Sequence, residues 1–207
     1  MPRLYRLNHP QGASMGISNS ITTLITRTSL FCMTCFAVSA NAHTLDLSLN
    51  NDAVGLDYTT QVSQSEVNVG AGILHHQDNG DAYWGSFFVA DNVNKQSGIL
   101  AGLGGRLYYI DADKQNNSGT ALGLGGFVNW DLPNVTNLSL RSDFYYAPDV
   151  LAFDEVKRFV DFSARVQYRV IEQAWIYLGY RNAEMKGTSG SDQKIDEGVN
   201  VGLMLWF

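Results

Sequence analysis

The chain has 207 residues and a formal net charge of -6 at pH 7. This acidic balance excludes nucleic acid as a partner, because nucleic-acid binding requires a basic patch or stripe. The apolar runs are shorter than about 18 residues, which excludes a transmembrane helix.

The first predicted element is a secretory signal peptide over residues 1–42. The segment contains basic but no acidic residues, and the apolar run SLFCMTCFAVSA precedes an A-x-A cleavage pattern that ends at Ala42. Met15 is an alternative start that gives the signal an ordinary length. Because Cys32 and Cys35 lie inside this segment, we interpret them as removed with it, not as a redox pair or half of a zinc site. The mature domain is then 43–207.

The mature domain alternates apolar and less apolar residues in segments of about ten residues, separated by turn-forming clusters. In chain order the segments are TLDLSLN, VGLDYTTQ, EVNVGAGIL, AYWGSFFVA, ILAGLGGRLYYID, ALGLGGFVNW, TNLSLRSDFYY, VKRFVDFSARVQYRV, AWIYLGYRN and VNVGLMLWF. The faces of AYWGSFFVA stay unassigned because both are aromatic. The pattern predicts an all-β fold, a transmembrane antiparallel β-barrel of about ten strands, with about eight as the alternative. A soluble β-sandwich fits less well, because its strands are shorter and its outward face is polar.

Sidedness follows from placing both ends of the mature chain in the periplasm. The longer connections then fall mostly on the outer side, and EMKGTSGSDQKIDEG is the longest predicted outer loop. Outward aromatic residues gather near the two predicted interfaces, whereas Tyr58 falls between them. The periplasmic group is Trp130, Tyr168 and Phe207, and the outer group is Tyr109, Tyr146 and Tyr180.

Four stretches resemble the YfaZ family of outer-membrane proteins: HTLDLSLNND, AVGLDYTT, LRSDFYYAPD and GVNVGLMLWF. The resemblance covers nearly all of the mature chain. It implies a barrel in the outer membrane of a Gram-negative bacterium, sometimes described as porin-like, with no established activity. Phe207 after alternating apolar residues resembles the signal that the barrel-assembly machinery reads. The expected partners are that machinery, outer-membrane lipids and lipopolysaccharide.

The less apolar strand faces supply the predicted lumen lining. The candidates are Asp57, Glu66, Arg106, Arg141, Asp143, Asp161, Arg165, Arg169 and Arg181. The signs of these charges nearly cancel, and inward glycines leave some space. One hypothesis is a narrow, weakly selective porin-like channel for ions or small solutes. The alternative is a closed structural barrel, in which arginine and aspartate form a hydrogen-bonded network that satisfies buried charge.

Enzymatic and surface-binding functions have weaker support. His75 and His76 lie near Asp78 and Asp81, a composition that an acid–base dyad or a metal site could use, as in an outer-membrane lipid-modifying hydrolase. Neither G-x-S-x-G nor H-E-x-x-H occurs, so we expect no enzyme, no metal and no cofactor. The long polar loop EMKGTSGSDQKIDEG could contact a partner or lipopolysaccharide.

Overall fold

The computed structural model describes residues 43–94, 98–112, 117–188 and 192–207. The predicted signal peptide, its alternative start at Met15 and its cysteine pair lie outside these residues. In the described part of the chain, no helix is both long and apolar enough to cross a membrane.

The described residues form ten long strands and one short strand, joined by turns. They are β1 (His43–Leu49), β2 (Ala53–Gln61), β3 (Val67–His76), β4 (Gly80–Asn94), β5 (Ile99–Ala112), β6 (Asn117–Asp131), β7 (Leu138–Ala147), β8 (Ala152–Asp154), β9 (Val156–Ile171), β10 (Ala174–Gly187) and β11 (Asp192–Trp206). A single 3-10 turn, Asp149–Leu151, precedes the three-residue strand β8.

The long strands form one closed antiparallel ring. Each pairs with its neighbour in the chain, and β9 pairs with β7 because the short β8 lies on β6 instead. The seam joins β1 to β11, from Thr44 opposite Trp206 to Leu49 opposite Val201. Closure gives each of the ten long strands a paired neighbour on both sides, so none of them is an edge strand along its whole length. The predicted ten-stranded barrel is confirmed, and the alternative of eight strands is wrong.

At one end of the seam, the first residue that the structure describes, His43, bonds to Phe207. The His43 N–H donates to the Phe207 carbonyl over 2.8 Å, and the Phe207 N–H donates to the His43 carbonyl over 3.0 Å. We call this end of the barrel the terminal end and the opposite end the far end.

The far end has less loop and more strand than the sequence pattern predicts. The stretch EMKGTSGSDQKIDEG is mostly a hairpin, in which Glu184 lies opposite Lys194 and Lys186 opposite Asp192. The register shifts after Ala183, where Ile195 is an extra residue in β11. A bulge of this kind breaks the alternation of apolar and polar residues. The prediction of a long outer loop was wrong for this reason.

Strand β11 extends further toward the far end than its neighbour β1. Strand β1 stops at Leu49, opposite Val201, so the part of β11 nearer the far end has no β1 partner in the described residues. Two asparagine side chains contact this part of β11. Asn50 donates its Nδ2–H to Asp196 Oδ1 over 2.7 Å, and Asn79 donates its Nδ2–H to the Ile195 carbonyl over 3.3 Å.

The outward face of the barrel is apolar around the ring. Leu103, Leu178 and Val199 lie on three different strands and are 77%, 57% and 63% exposed. In β4, the strand whose faces the sequence left unassigned, Tyr83 and Phe87 point outward. The same strand buries Ala82, Trp84 and Ser86 in the interior. A soluble sandwich has the opposite arrangement, with its polar side chains outward.

Outward aromatic rings gather at the terminal end, and Tyr58 belongs to this group. Its hydroxyl lies 2.7 Å from His43 Nδ1, and its ring stacks on the His43 ring at a centroid distance of 5.8 Å. His43 in turn stacks on Phe207 at 5.7 Å. The expectation that Tyr58 lies between the two aromatic groups was therefore wrong, because strand pairing places it opposite Leu45, close to the N-terminal end of β1.

Candidate functional site: the barrel interior

The interior consists of three layers along the barrel axis. The central one, the charged layer, contains Asp46, Asp57, Asp143 and Asp161 together with Arg106, Arg141, Arg165 and Arg181. Every second residue of a strand points inward, so each of these side chains projects from the polar face of its strand. The opposite charges balance in number. A small cavity of about 100 Å³ lies among them.

Asp161 is the centre of the charged layer. Its Oδ2 atom accepts hydrogen bonds from Arg106 Nη1 and Arg181 Nη2, each over 3.3 Å, and from the Tyr108 hydroxyl over 2.9 Å. The residue is only 3% exposed. Because a buried charge is tolerated when it is paired and hydrogen-bonded, this cluster connects β5, β9 and β10 across the lumen.

A second cluster spans the seam. Arg165 bonds to Asp46 Oδ2, and the Tyr177 hydroxyl donates to Asp46 Oδ1 over 2.6 Å. The Arg165 guanidinium also lies over the Tyr177 ring, 4.5 Å from its centroid. Asp46 belongs to β1, whereas its two partners belong to β9 and β10, so this cluster supports ring closure from inside.

The other two carboxylates of the charged layer, Asp143 and Asp57, also have hydrogen-bond partners. Arg141 binds Asp143 in a bidentate manner, with Nη2 donating to Oδ1 over 2.9 Å and Nε donating to Oδ2 over 3.1 Å. Asp57 accepts the indole N–H of Trp84 over 2.7 Å and the Thr59 hydroxyl over 3.1 Å. These contacts hold each carboxylate in place and leave little freedom for it to follow a passing ion.

Aromatic rings fill the space next to the inward glycines. A Cβ atom at Gly72 would lie 2.3 Å from the Trp84 ring, and one at Gly202 would lie 2.1 Å from the Tyr177 ring. Real Cβ atoms do not approach other atoms so closely. These glycines therefore make room for aromatic partners of the charged layer, and not for the passage that the sequence suggested.

The far half of the interior is apolar and densely packed, and we call it the apolar layer. Its largest fully buried side chains, each at most 1% exposed, are Leu74, Ile110, Tyr145, Phe159, Met185 and Ile195. Small residues complete the packing, among them Ala112, Ala121 and Ala147. These inward side chains therefore pack against one another and not against solvent.

The terminal half is open by contrast. A cavity of about 630 Å³, which we call the terminal vestibule, extends from the terminal end to the charged layer. Trp175, Trp206, Asn129, Gln167 and Arg169 contribute to its lining. The interior is therefore open at one end and filled at the other.

The nine predicted lining residues occupy three different environments. Seven of them lie in the charged layer: Asp57, Arg106, Arg141, Asp143, Asp161, Arg165 and Arg181. Arg169 lies instead in the terminal vestibule, where it donates to Asn137 Oδ1. Glu66 does not line the lumen as predicted. Strand β3 begins only at Val67, and Glu66 is exposed in the turn before it.

Sequence reasoning missed the aromatic partners of the charges. Trp84 lies on β4, whose faces could not be assigned, and it contacts both Asp57 and two guanidiniums. The bond of Tyr108 to Asp161 joins residues 53 positions apart in the chain, which no local pattern can indicate. An inward glycine opposite an aromatic residue on the next strand is the signal that could have suggested such packing.

His75 and His76 lie at the far end of β3, away from the charged layer. His75 points outward and exposed at the far end, with its Nδ1 atom 2.6 Å from Asp81 Oδ1. His76 accepts the Asp78 backbone N–H at Nδ1 over 3.1 Å and contacts Asn79. Within the described ranges, no group of three or more histidine, cysteine, aspartate or glutamate residues is arranged to hold a metal ion.

These features define the class of the protein as a small, closed antiparallel β-barrel whose interior is filled in its far half and open in its terminal half. The chain belongs to the YfaZ precursor family, whose model matches residues 23–207. The resemblance inferred from the sequence is thereby confirmed.

Among solved structures, the chain is similar to the outer membrane channel DcaP of Acinetobacter baumannii. The two share 11% sequence identity with a TM-score of 0.40, over 78% of this chain and 54% of that channel. No curated protein matched the chain.

Proposed function

We propose that the protein is an outer-membrane β-barrel of a Gram-negative bacterium, with its terminal end in the periplasm. The observation that carries this proposal is the inverted distribution of polarity: an apolar outer surface surrounds a ring whose charges point inward. A closed barrel satisfies its backbone internally, so hydrocarbon can cover the apolar surface. The predicted signal peptide and the precursor description of the family agree with export.

Membrane fractionation and refolding test the location. The processed protein should sediment with outer membranes and should refold only when detergent or lipid is present. A folded barrel should also migrate differently on a gel before and after heating. A processed chain that is monomeric and folded in plain buffer would oppose the proposal.

We further propose that the lumen is closed to solutes. The apolar layer supports this function, because its large side chains are fully buried among the described residues of the far half. The fixed pairing of opposite charges in the charged layer supports it as well. The porin-like alternative, a narrow channel for ions or small solutes, draws its support from the terminal vestibule, which opens the interior from one side.

Planar-bilayer recording distinguishes the two functions. We expect the wild-type barrel to give no conductance steps above background. A variant that carries Phe159→Ser, Met185→Ser and Ile195→Ser should give steps, because it replaces three large side chains of the apolar layer by small polar ones. This variant shows that the assay can detect an open lumen. Regular steps from the wild-type protein would support the channel instead.

The proposal includes no enzymatic activity and no cofactor. Its partners are outer-membrane lipids, lipopolysaccharide and the barrel-assembly machinery. Phe207 supports the last of these, because the residue is 64% exposed even though its backbone bonds to His43 and its ring stacks on the His43 ring. Phe207→Ala should therefore reduce assembly in cells but leave refolding in detergent unchanged. Equal losses in both experiments would indicate a structural role for the ring.

A further inference from the structure

The terminal vestibule has the size and composition of a binding site. Its volume of about 630 Å³ lies within the range of about 300–1,000 Å³ that is usual for ligand pockets. Amide and hydroxyl side chains share its lining with apolar and aromatic ones. The charged layer forms its floor, so a ligand could enter from the terminal end and stop there.

One buried polar group in the vestibule has unused hydrogen-bonding capacity. Gln167 is 4% exposed and donates its Nε2–H to Asn129 Oδ1 over 2.6 Å. Its Oε1 atom is buried and has no hydrogen-bond partner in the described part of the chain. A buried acceptor without a partner is costly, and a ligand hydroxyl or N–H group would satisfy it.

The charged residues in the vestibule lining are two arginines, Arg141 and Arg169, and one aspartate, Asp131. Arg141 is engaged by Asp143, and Asp131, which accepts a hydrogen bond from Asn129 over 3.2 Å, contributes one negative charge. Arg169 lies near the mouth and uses Nε and Nη2 to bind Asn137 Oδ1 over 3.3 and 3.1 Å. A guanidinium has five N–H donors, so the edge of Arg169 can still bind a carboxylate.

Two tryptophans form an aromatic wall at the mouth. The rings of Trp175 and Trp206 lie 6.4 Å apart and are tilted by 56°. Both belong to inward strand faces, and Met204 lies beside them in the lining. An aromatic wall beside hydrogen-bonding amides suits a ligand that has an apolar ring face and a polar rim.

We propose that the terminal vestibule binds a carboxylated saccharide. The C–H face of a sugar ring packs on Trp175 and Trp206, a hydroxyl donates to Gln167 Oε1, and the carboxylate pairs with Arg169. An acyl-chain anion fits less well, because its tail would leave the buried Gln167 Oε1 atom without a hydrogen-bond partner. Only the assignment of this site to the periplasm rests on the orientation proposed above.

Calorimetric titration of the purified barrel tests the site, in a detergent whose headgroup is not a sugar. The probes are glucuronic acid and its neutral counterpart glucose, with laurate as the lipid anion. We expect glucuronic acid to bind about tenfold more tightly than glucose, since the carboxylate adds a charge-assisted bond. Arg169→Gln should abolish this preference and leave glucose binding unchanged.

Two matched variants separate the aromatic wall from general effects of tryptophan. Trp175→Phe should weaken both sugars, whereas Trp130→Phe, on the outward face, should change neither. Unchanged heat-dependent gel mobility shows that each variant is folded, and quenching of tryptophan fluorescence provides a second measure of binding. Equal affinities for the two sugars, no binding of either, or displacement of the sugar by laurate would overturn the proposal. An error in the proposed orientation would not alter these titrations.

Discussion

The far half and the terminal half of the barrel interior are built on the same strands, but the far half is densely packed and the terminal half contains a large cavity. In the far half, Phe159, Met185 and Ile195 are fully buried against one another and against small residues. In the terminal half, the same alternating pattern places Asn129, Gln167 and Trp206 around an open cavity. The strand pattern therefore determines which residues point inward, but the size and polarity of those residues determine whether the lumen is filled.

The charged layer separates the two halves, and its central carboxylate should give the largest effect on stability. Asp161→Ala leaves Arg106 and Arg181 buried without their shared partner, which should cost about 3–5 kcal/mol of unfolding free energy. Urea unfolding of the barrel in lipid vesicles measures this loss. Asp161→Asn, which keeps an acceptor for Tyr108, should cost less. A loss within about 0.5 kcal/mol, as expected for the exposed control Asp91→Ala, would show that the cluster contributes little.

The apolar layer should give the next largest effect. Met185→Ala removes a fully buried side chain from the far half and should cost about 2–5 kcal/mol. Met204→Ala, which makes the same change in the lining of the terminal vestibule, should cost clearly less because the cavity already exists there. The same unfolding measurement compares the two variants. Equal losses would contradict the difference between the filled half and the open half.

Two glycines on neighbouring strands give a smaller and sharper test of interior packing. In Gly72→Ala the new methyl group points inward against the Trp84 ring, and the variant should lose about 1–3 kcal/mol of unfolding free energy. Gly85→Ala points outward, where a Cβ atom has nothing within 4 Å, and should be neutral or slightly stabilising. Unfolding midpoints measure both. A neutral Gly72→Ala would mean that Trp84 can move away and that the interior is looser than its packing indicates.

The sequence predicts the barrel well because its main signal is local. Alternation with a period of two residues reports which face of a strand is apolar, and ten such segments correspond to the ten long strands of the ring. The signal fails where alternation fails: at the bulge beside Ala183, and in β4, where Tyr83 and Trp84 make both faces aromatic.

The sequence predicted which charged residues point inward, but it did not predict which arginine pairs with which aspartate. Arg106 and Asp161 are 55 residues apart, and Asp46 and Arg165 are 119 apart. Which of them meet depends on the stagger of strands around the ring, which no local pattern encodes. Glu66 shows the same limit at a boundary, because a shift of one residue in the start of β3 moves it from the lumen to a turn.

Asn50 and Asn79 contact the part of β11 nearest the far end, and these contacts affect how folded barrels meet one another. An exposed strand edge invites pairing with another chain, and this part of β11 extends past β1. The bulge at Ile195 bends the strand, and Asn79 occupies the Ile195 carbonyl while Asn50 holds the neighbouring Asp196. We expect these contacts to keep folded barrels from associating edge to edge. Asn79→Ala should then increase light scattering at unchanged unfolding midpoint.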